Sequence, residues 1–348
     1  MSNAFSSWWQ PPQFSKKRAT LEARAKILSA IRDYFSVQDF VEVDTPALQP
    51  SPCMEPHLHA FKTELKTPHG ESHPYYLITS PEFACKKLLV AGMERIYQLS
   101  HMYRNTEHSS RHHPEFMLLE WYRVDAGYDA LMDDCEHLLK AACAVTGKTI
   151  CDFNGMSCDI TKKAQRLSVV DAFFKYADMD LLATMDDVQH PSAAKIMAEA
   201  KRIGVRCAAD DAWDDVVLRI IGEKIEPHLG RDVPCFLMDY PLPLASLARA
   251  KPGDGRLAER FELYVCGLEL ANGFVELTDA KIQRQRFVAD MALRKARYGS
   301  DYPIDEDFLK ALEFGMPQAA GIALGVDRLI MLATGAEHID DVLWAPVI

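Results

Sequence analysis

No stretch of this 348-residue chain approaches the roughly 20 consecutive apolar residues of a membrane-spanning helix. Its first segment, Met1 to Ser15, holds Trp8, Trp9, Pro11 and Pro12 but no basic stretch followed by an apolar run, so it does not read as a signal peptide. None of the nine cysteines stands in a Cys-x-x-Cys pair. An odd count without framework spacing points to reduced thiols in a cytoplasmic protein, not to a disulfide scaffold or a zinc knuckle. Basic residues are in deficit: 39 Lys and Arg against 50 Asp and Glu give a net charge of −11. That balance disfavours broad binding to a phosphate backbone but leaves room for a local basic nucleotide site. Repeats and low-complexity runs are absent. The chain is otherwise ordinary, at 48% apolar and 26% charged residues, enough to build one large domain or two.

Residues 1–15 read as a loose tail. From Ser15 to about Ser36, Leu21, Ala25, Leu28, Ile31 and Phe35 recur at helical spacing. Phe40 to Val43 predicts a short strand stopped by Pro46, and 47–74 read mostly as loop. Tyr75 to Thr79 predicts a strand. Ser80-Pro81-Glu82 then opens a helix to about Ala91, with Ser as cap, Pro in the first turn and Glu at the positive end of the dipole. Ile96 to Arg104 and Glu115 to Arg123 predict an antiparallel hairpin with a long polar tip. Residues 128–232 alternate helical patterns with short loops. Arg260 to Val265 and Leu268 to Leu277 are strand-like, Lys281 to Tyr298 is a charged helix, and Gly321 to Val326 is a strand running into a helix. Hairpins in sets with helices between them imply an α+β fold built on an antiparallel sheet.

Four segments carry candidate chemistry. In the hairpin, Arg104 ends the first strand, and Phe116, Leu118, Glu120 and Tyr122 share one face of the second. An arginine fork suits a phosphate and an aromatic suits a base; a solvated loop over core aromatics is the alternative. His101, His108, His112 and His113 cluster nearby without a metal-ligand spacing, so they read as polar loop residues. In Glu269-Leu270-Ala271-Asn272-Gly273-Phe274-Val275-Glu276 two turn signals compete. A turn at Asn272-Gly273 would set Glu269 against Glu276, which only a bound cation would make favourable. A turn at Cys266-Gly267, with a bend or bulge at Asn272-Gly273, is the preferred expectation. Gly321, Ala323 and Gly325 leave one strand face open to a ligand. Arg328 follows at a helix start, against the helix dipole, where it could hold a polyphosphate or simply pair with Asp327. In the fourth segment, Thr79 to Glu82, capping alone would explain every residue.

Taken together and in order, these segments resemble the catalytic core of class II aminoacyl-tRNA synthetases over 16–348. Phe40 to Pro46 looks like motif 1, Arg104 to Phe116 like motif 2, Gly321 to Arg328 like motif 3, and Glu269 to Glu276 like the acidic segment of the lysyl-type enzymes. The resemblance implies a single catalytic domain and a motif 1 homodimer. It implies ATP held by Arg104 at the α-phosphate, Arg328 at the γ-phosphate and Phe116 stacked on adenine. Asn105, Thr106, His113, Glu269, Leu270 and Gly325 complete that implied site. Ser80, Pro81, Glu82, Tyr122, Glu276 and Ala323 would line the amino-acid pocket, with magnesium (Mg2+) on Glu269 and Glu276.

Three features resemble lysyl-tRNA synthetase paralogues that modify a protein. Only some 15 residues precede the first catalytic helix, so no anticodon-binding domain and no anticodon-type tRNA binding are expected. Ser80 stands where the synthetases usually have Ala, and Ala323 where they usually have Gly. The implied acceptor is then elongation factor P, and the implied substrate beta-lysine, activated as an acyl-adenylate. A truncated enzyme charging a tRNA and a non-catalytic regulatory paralogue are the competing readings. The chain departs from motif 2 at Thr106, where Glu is usual and Glu107 follows, and at His113, where Asn is usual. Val275 replaces a polar residue.

Overall fold

A computed structural model describes residues 8–189 and 191–347. Helix α1 (Pro11–Val37) starts before the expected Ser15, because proline fits a first turn whose N–H groups have no partner anyway. The expected tail is therefore helical from residue 11, and 1–7 lie outside the described residues. Strand β1 (Val41–Glu42) follows, then β2 (Leu48–Gln49), β3 (Lys62–Lys66) and β4 (Ser72–Leu77). The last three form a small antiparallel sheet: β4 overlaps the strand expected at Tyr75 to Thr79, while β2 and β3 lie where loop was expected. Every residue of β3 is exposed, so it carries none of the alternation by which a strand is recognised.

Helix α2 (Glu82–Val90) starts one residue later than expected: Pro81 takes the cap position and Glu82 the first helical one, while Ser80 Oγ, just outside the helix, accepts from the Glu82 N–H at 3.1 Å. The hairpin β5 (Arg95–Tyr103) and β6 (Glu115–Val124) also matches. Helix α3 (Tyr128–Thr146) leads to a segment in which sequence showed only helices. It holds the hairpin β7 (Ile150–Phe153) and β8 (Met156–Asp159), strand β9 (Gln165–Ser168), and helices α4 (Val169–Ala177), α5 (Ala193–Arg202) and α6 (Trp213–Ile220). The rest is β10 (Cys235–Pro241), β11 (Ala250–Lys251), β12 (Asp254–Val265), β13 (Leu268–Val275), α7 (Ala280–Tyr298), α8 (Glu306–Gly315), β14 (Ala319–Gly325) and α9 (Val326–Thr334).

The main sheet runs β1-β5-β6-β14-β13-β12-β10-β9, with β11 on β12. Its interior pairs are antiparallel, as expected for the α+β class; only the outer pairs β1–β5 and β10–β9 are parallel. Alternation along the strands divides the two faces. Leu119, Trp121, Ile322, Leu324 and Val275 join Phe35, Leu138 and Ile330 in one core beneath α1, α3 and α9. Helices α2, α7 and α8 pack over part of the other face through Phe83, Phe287 and Phe308. Between them a cleft opens onto the sheet.

Two backbone details set that cleft. Cys266 and Gly267 both sit at positive φ (52° and 68°), and Val265 pairs with Leu268, so the two-residue turn lies there as expected. No turn forms at Asn272-Gly273, which continue the strand opposite Glu262 and Phe261. The irregularity is instead at Leu270: the register passes from Tyr264↔Glu269 to Leu263↔Ala271, leaving Leu270 as the extra residue of a bulge.

Candidate active site

Residues seven apart on a regular strand point to opposite faces. The bulge at Leu270 reverses that parity, so Glu269, Asn272, Phe274 and Glu276 all face the cleft. Cross-strand register then orders its floor in rows. Tyr122, Gly321 and Phe274 lie side by side; so do Glu120, Ala323 and Asn272; Leu118 and Gly325 come next. The cavity above this floor has a volume of about 470 Å³, within the range of small-molecule sites.

One arm of the cavity is acidic. Glu120 and Glu276 are buried, at 2% and 1% exposure. Glu120 accepts from Ser80 Oγ and from the Tyr122 hydroxyl, each at 2.6 Å. Burial, reinforced by Glu82, pushes its carboxyl up to about 7. Helix α2 delivers Glu82 and, four residues on, Lys86, whose Nζ is paired with Glu82 and lies 2.5 Å from Glu276. Neither Glu276 oxygen has a well-directed hydrogen-bond partner among the described residues. Burial pushes Glu276 up to about 8 even though Lys86 pulls the other way. Three carboxylates against one ammonium leave this arm two negative charges in excess when all are ionised. A diamino acid carries the complementary pair of ammonium groups.

The other arm is basic. Arg328 Nη1 donates to the Glu269 carbonyl at 2.8 Å, and Nη2 to His112 Nε2 at 2.6 Å. Burial, then Arg328, Arg111 and Arg104, hold His112 down to about 4, so near neutrality it is an uncharged acceptor. The ion pair of Arg328 with Asp327 that the sequence allowed is not made. Asp327 turns into the core, where it pairs with Arg24 of α1 and accepts from the Met117 N–H at 2.8 Å. That anchor locks the start of α9 and leaves the Arg328 guanidinium on the cleft. Arg104 lies 5.0 Å from the centre of the Phe116 ring, and its buried Nε has no partner among the described residues. Two arginines and an aromatic ring in one arm are a set chemically suited to a polyphosphate and a base.

The structure corrects the proposed metal pair. From Glu269 to Glu276 there are six regular strand steps beyond the bulge, about 20 Å at roughly 3.3 Å each. Two glutamates so far apart cannot share one cation, and Glu276 is committed to Lys86. The acid beside Glu269 is Glu262: burial, then Glu262, pushes Glu269 up to about 7. Glu262 accepts from Tyr240, Tyr264 and Arg260. No group of three or more His, Cys, Asp or Glu among the described residues is gathered tightly enough to hold a metal unaided. One or two carboxylates completed by phosphate oxygens is nevertheless the ordinary donor set for magnesium. Glu269 with Glu262, next to Arg328, fits it.

Other expected residues sort as follows. Ser80, Glu82, Tyr122, Glu276, Ala323, Phe116, Leu270 and Gly325 line the cavity with the two arginines. Asn105 and Thr106 do not. Thr106 takes a left-handed φ of 69°, which turns the hairpin tip so that Glu107 faces the cleft instead. His113 also borders the cavity, but its ring is spent on the backbone: Nδ1 meets the Glu115 carbonyl at 2.7 Å and Nε2 accepts from the Val347 N–H at 3.1 Å. His112 holds the polar position expected of it. Pro81 faces a small separate pocket with Lys87 and Asp305. The motifs do not place Glu120 in the amino-acid pocket, although its period-two place between Phe116 and Tyr122 marks that face, nor Lys86, for which the i,i+4 spacing from Glu82 is the available signal. Glu262 has none.

Comparison with known proteins agrees with this geometry. The family model described as tRNA synthetases class II (D, K and N) matches residues 11–347. A Pectobacterium carotovorum protein named elongation factor P (R)-beta-lysine ligase is 40% identical over 339 residues, covering 96% of each chain. Proteins of the same name from Vibrio atlanticus and Yersinia enterocolitica are each 39% identical, covering 98% and 97% of both chains respectively.

Proposed function

Because the chain belongs to the class II aminoacyl-tRNA synthetase family of the D, K and N type, we propose that it is an ATP-dependent ligase that activates beta-lysine and transfers it to a lysine ε-amine of elongation factor P. One observation carries the reading: a single cavity joins an acidic arm suited to a diamino acid to a basic arm suited to ATP. Relatives with the same name along nearly their whole length support the choice of amino acid and acceptor.

The chemistry follows from placement. The two ammonium groups sit against Glu120 and Glu276, which directs the substrate carboxylate toward Arg104. A carboxylate oxygen attacks the α-phosphorus, the bond to the bridging oxygen breaks, and pyrophosphate leaves with the electron pair. Arg104 and Arg328 hold the phosphates in line and meet the charge that spreads over their oxygens. Magnesium, when bound by Glu269 and Glu262, supplies further neutralisation of the polyphosphate. The acceptor amine then attacks the acyl carbon, an amide forms, and AMP departs. Ser80 and Tyr122 keep Glu120 oriented throughout. Gly325 leaves room for the nucleotide against the strand, and Ala323 narrows the floor between Glu120 and Asn272.

The reading includes a cytoplasmic homodimer with a protein, not a tRNA anticodon, as its acceptor partner. Support for the dimer is the motif 1 segment at the sheet edge, where Val41 is 50% exposed, beside Val37 at the end of α1, which is 80% exposed. Among the described residues no helix is long and apolar enough to cross a membrane. The test is acceptor dependence: labelled beta-lysine and ATP are offered with elongation factor P or with total tRNA. Label on an elongation factor P lysine is expected; label on tRNA alone overturns the reading.

A further inference from the structure

Lys86 is a lysine of the chain itself inside a pocket suited to a lysine-like substrate. It is 1% exposed, with its Nζ between Glu82 and Glu276 and 5.2 Å from the centre of the Phe274 ring. None of the segments that carry the family resemblance assigns it a role. Glu82 and Glu276 both touch this one ammonium, so without it the buried Glu276 carboxylate and the partly buried Glu82 carboxylate would face each other at short range. Like charges so placed move apart or lose their charge. Glu276 is the group that matters for substrate. It is nine-tenths and more buried, lines the cavity, and has no directed hydrogen bond on either oxygen among the described residues. Glu120, by contrast, is already oriented by Ser80 and Tyr122. Among the described residues, Lys86 is therefore the one cation paired with Glu276, a carboxylate with no other support.

We propose that Lys86 is a positioning residue for the amino-acid substrate: a fixed counter-ion that holds Glu276 beside Glu82 and presents its free side to one of the two substrate ammonium groups. Glu82 then serves chiefly as the second anchor of Lys86, which differs from the direct substrate contact implied by the resemblance. The inference rests on the reading of the acidic arm as the amino-acid pocket.

The test is amino-acid-dependent exchange of pyrophosphate into ATP by Lys86→Ala, Lys86→Met and Lys86→Arg. In Lys86→Ala and Lys86→Met the KM for beta-lysine should rise by about 10- to 100-fold, with kcat and the KM for ATP changed far less. Lys86→Arg should recover most of the loss. Propylammonium added to Lys86→Ala should refill the position and restore the KM, whereas 1-propanol, of similar shape but uncharged, should not. An unchanged KM in Lys86→Met, or equal rescue by the alcohol, overturns the proposal. Should the truncated variants fail to fold alone, they are expressed and assayed in propylammonium. Folding and turnover that need the amine support the proposal, and equal service by the alcohol refutes it. Wild-type protein with no beta-lysine-dependent exchange would instead defeat the underlying functional reading.

Discussion

Two glycines on β14 should separate the two arms of the cavity in a single experiment. At Gly321 an added Cβ would drive into Glu276 Oε1 and would come within 2.5 Å of Tyr122 Cδ1. Both neighbours are buried and hydrogen-bonded or ion-paired, so neither yields freely. Overpacking of this kind costs about 1–3 kcal/mol. If that strain is relieved by displacing Glu276, the same energy appears as lost amino-acid affinity, about 5- to 150-fold. At Gly325 the added Cβ meets nothing nearer than Arg328 Cδ at 3.6 Å, an ordinary contact. Its φ of −72° and ψ of 101° suit any residue. Gly325→Ala should therefore leave stability unchanged or raise it by up to about 1 kcal/mol. Its methyl group would project from the floor proposed for the nucleotide. The expected pattern is crossed: Gly321→Ala raises the KM for beta-lysine and spares that for ATP, while Gly325→Ala does the reverse. Pyrophosphate exchange at saturating levels of the other substrate reads both constants, and thermal unfolding reads stability. A normal beta-lysine KM in Gly321→Ala, or an amino-acid defect in Gly325→Ala, would refute the placement of the two arms.

The raised carboxyls give a pH signature. Glu120 at about 7 and Glu276 at about 8 are partly protonated near neutrality in the free protein, and an arriving ammonium group favours their ionised forms. Beta-lysine binding should release protons, and its affinity should rise with pH through the window from about 7 to 8. Calorimetry at neutral pH in buffers of different ionisation enthalpy checks this; a binding enthalpy independent of buffer would contradict it. Arg328→Ala and Arg104→Ala should each lower adenylate formation by about 100-fold or more while far-ultraviolet circular dichroism stays native; near-normal exchange in either would remove the phosphate assignment. Ala323→Gly, which opens the floor between Glu120 and Asn272, should widen use of α-lysine, and an unchanged preference for beta-lysine over α-lysine would count against a steric role for that methyl group.

What the sequence revealed and what it hid divide along a physical line. Local signals held. The Ser80-Pro81-Glu82 helix start, the hairpin β5–β6 and the turn at Cys266-Gly267 each depend on neighbours within a few residues, and each is present. The fully exposed β3 carries no alternation, and β7 and β8 are each only four residues long, too short for their pattern to stand out between helical segments. Relations between distant segments were the ones misjudged. Asp327 was weighed as a partner for its neighbour Arg328, but it pairs with Arg24, 303 positions earlier. The family resemblance makes Glu269 and Glu276 one metal pair within a short motif. Strand geometry shows why the motif misleads: the Leu270 bulge brings both carboxylates to one face, yet the strand between them still keeps them at opposite ends of the cleft. The same seven-residue spacing that seemed to gather a cation site instead separates the basic arm of the cavity from its acidic arm. Each glutamate then acts with a partner from another element, Glu269 with Glu262 of β12 and Glu276 with Lys86 of α2.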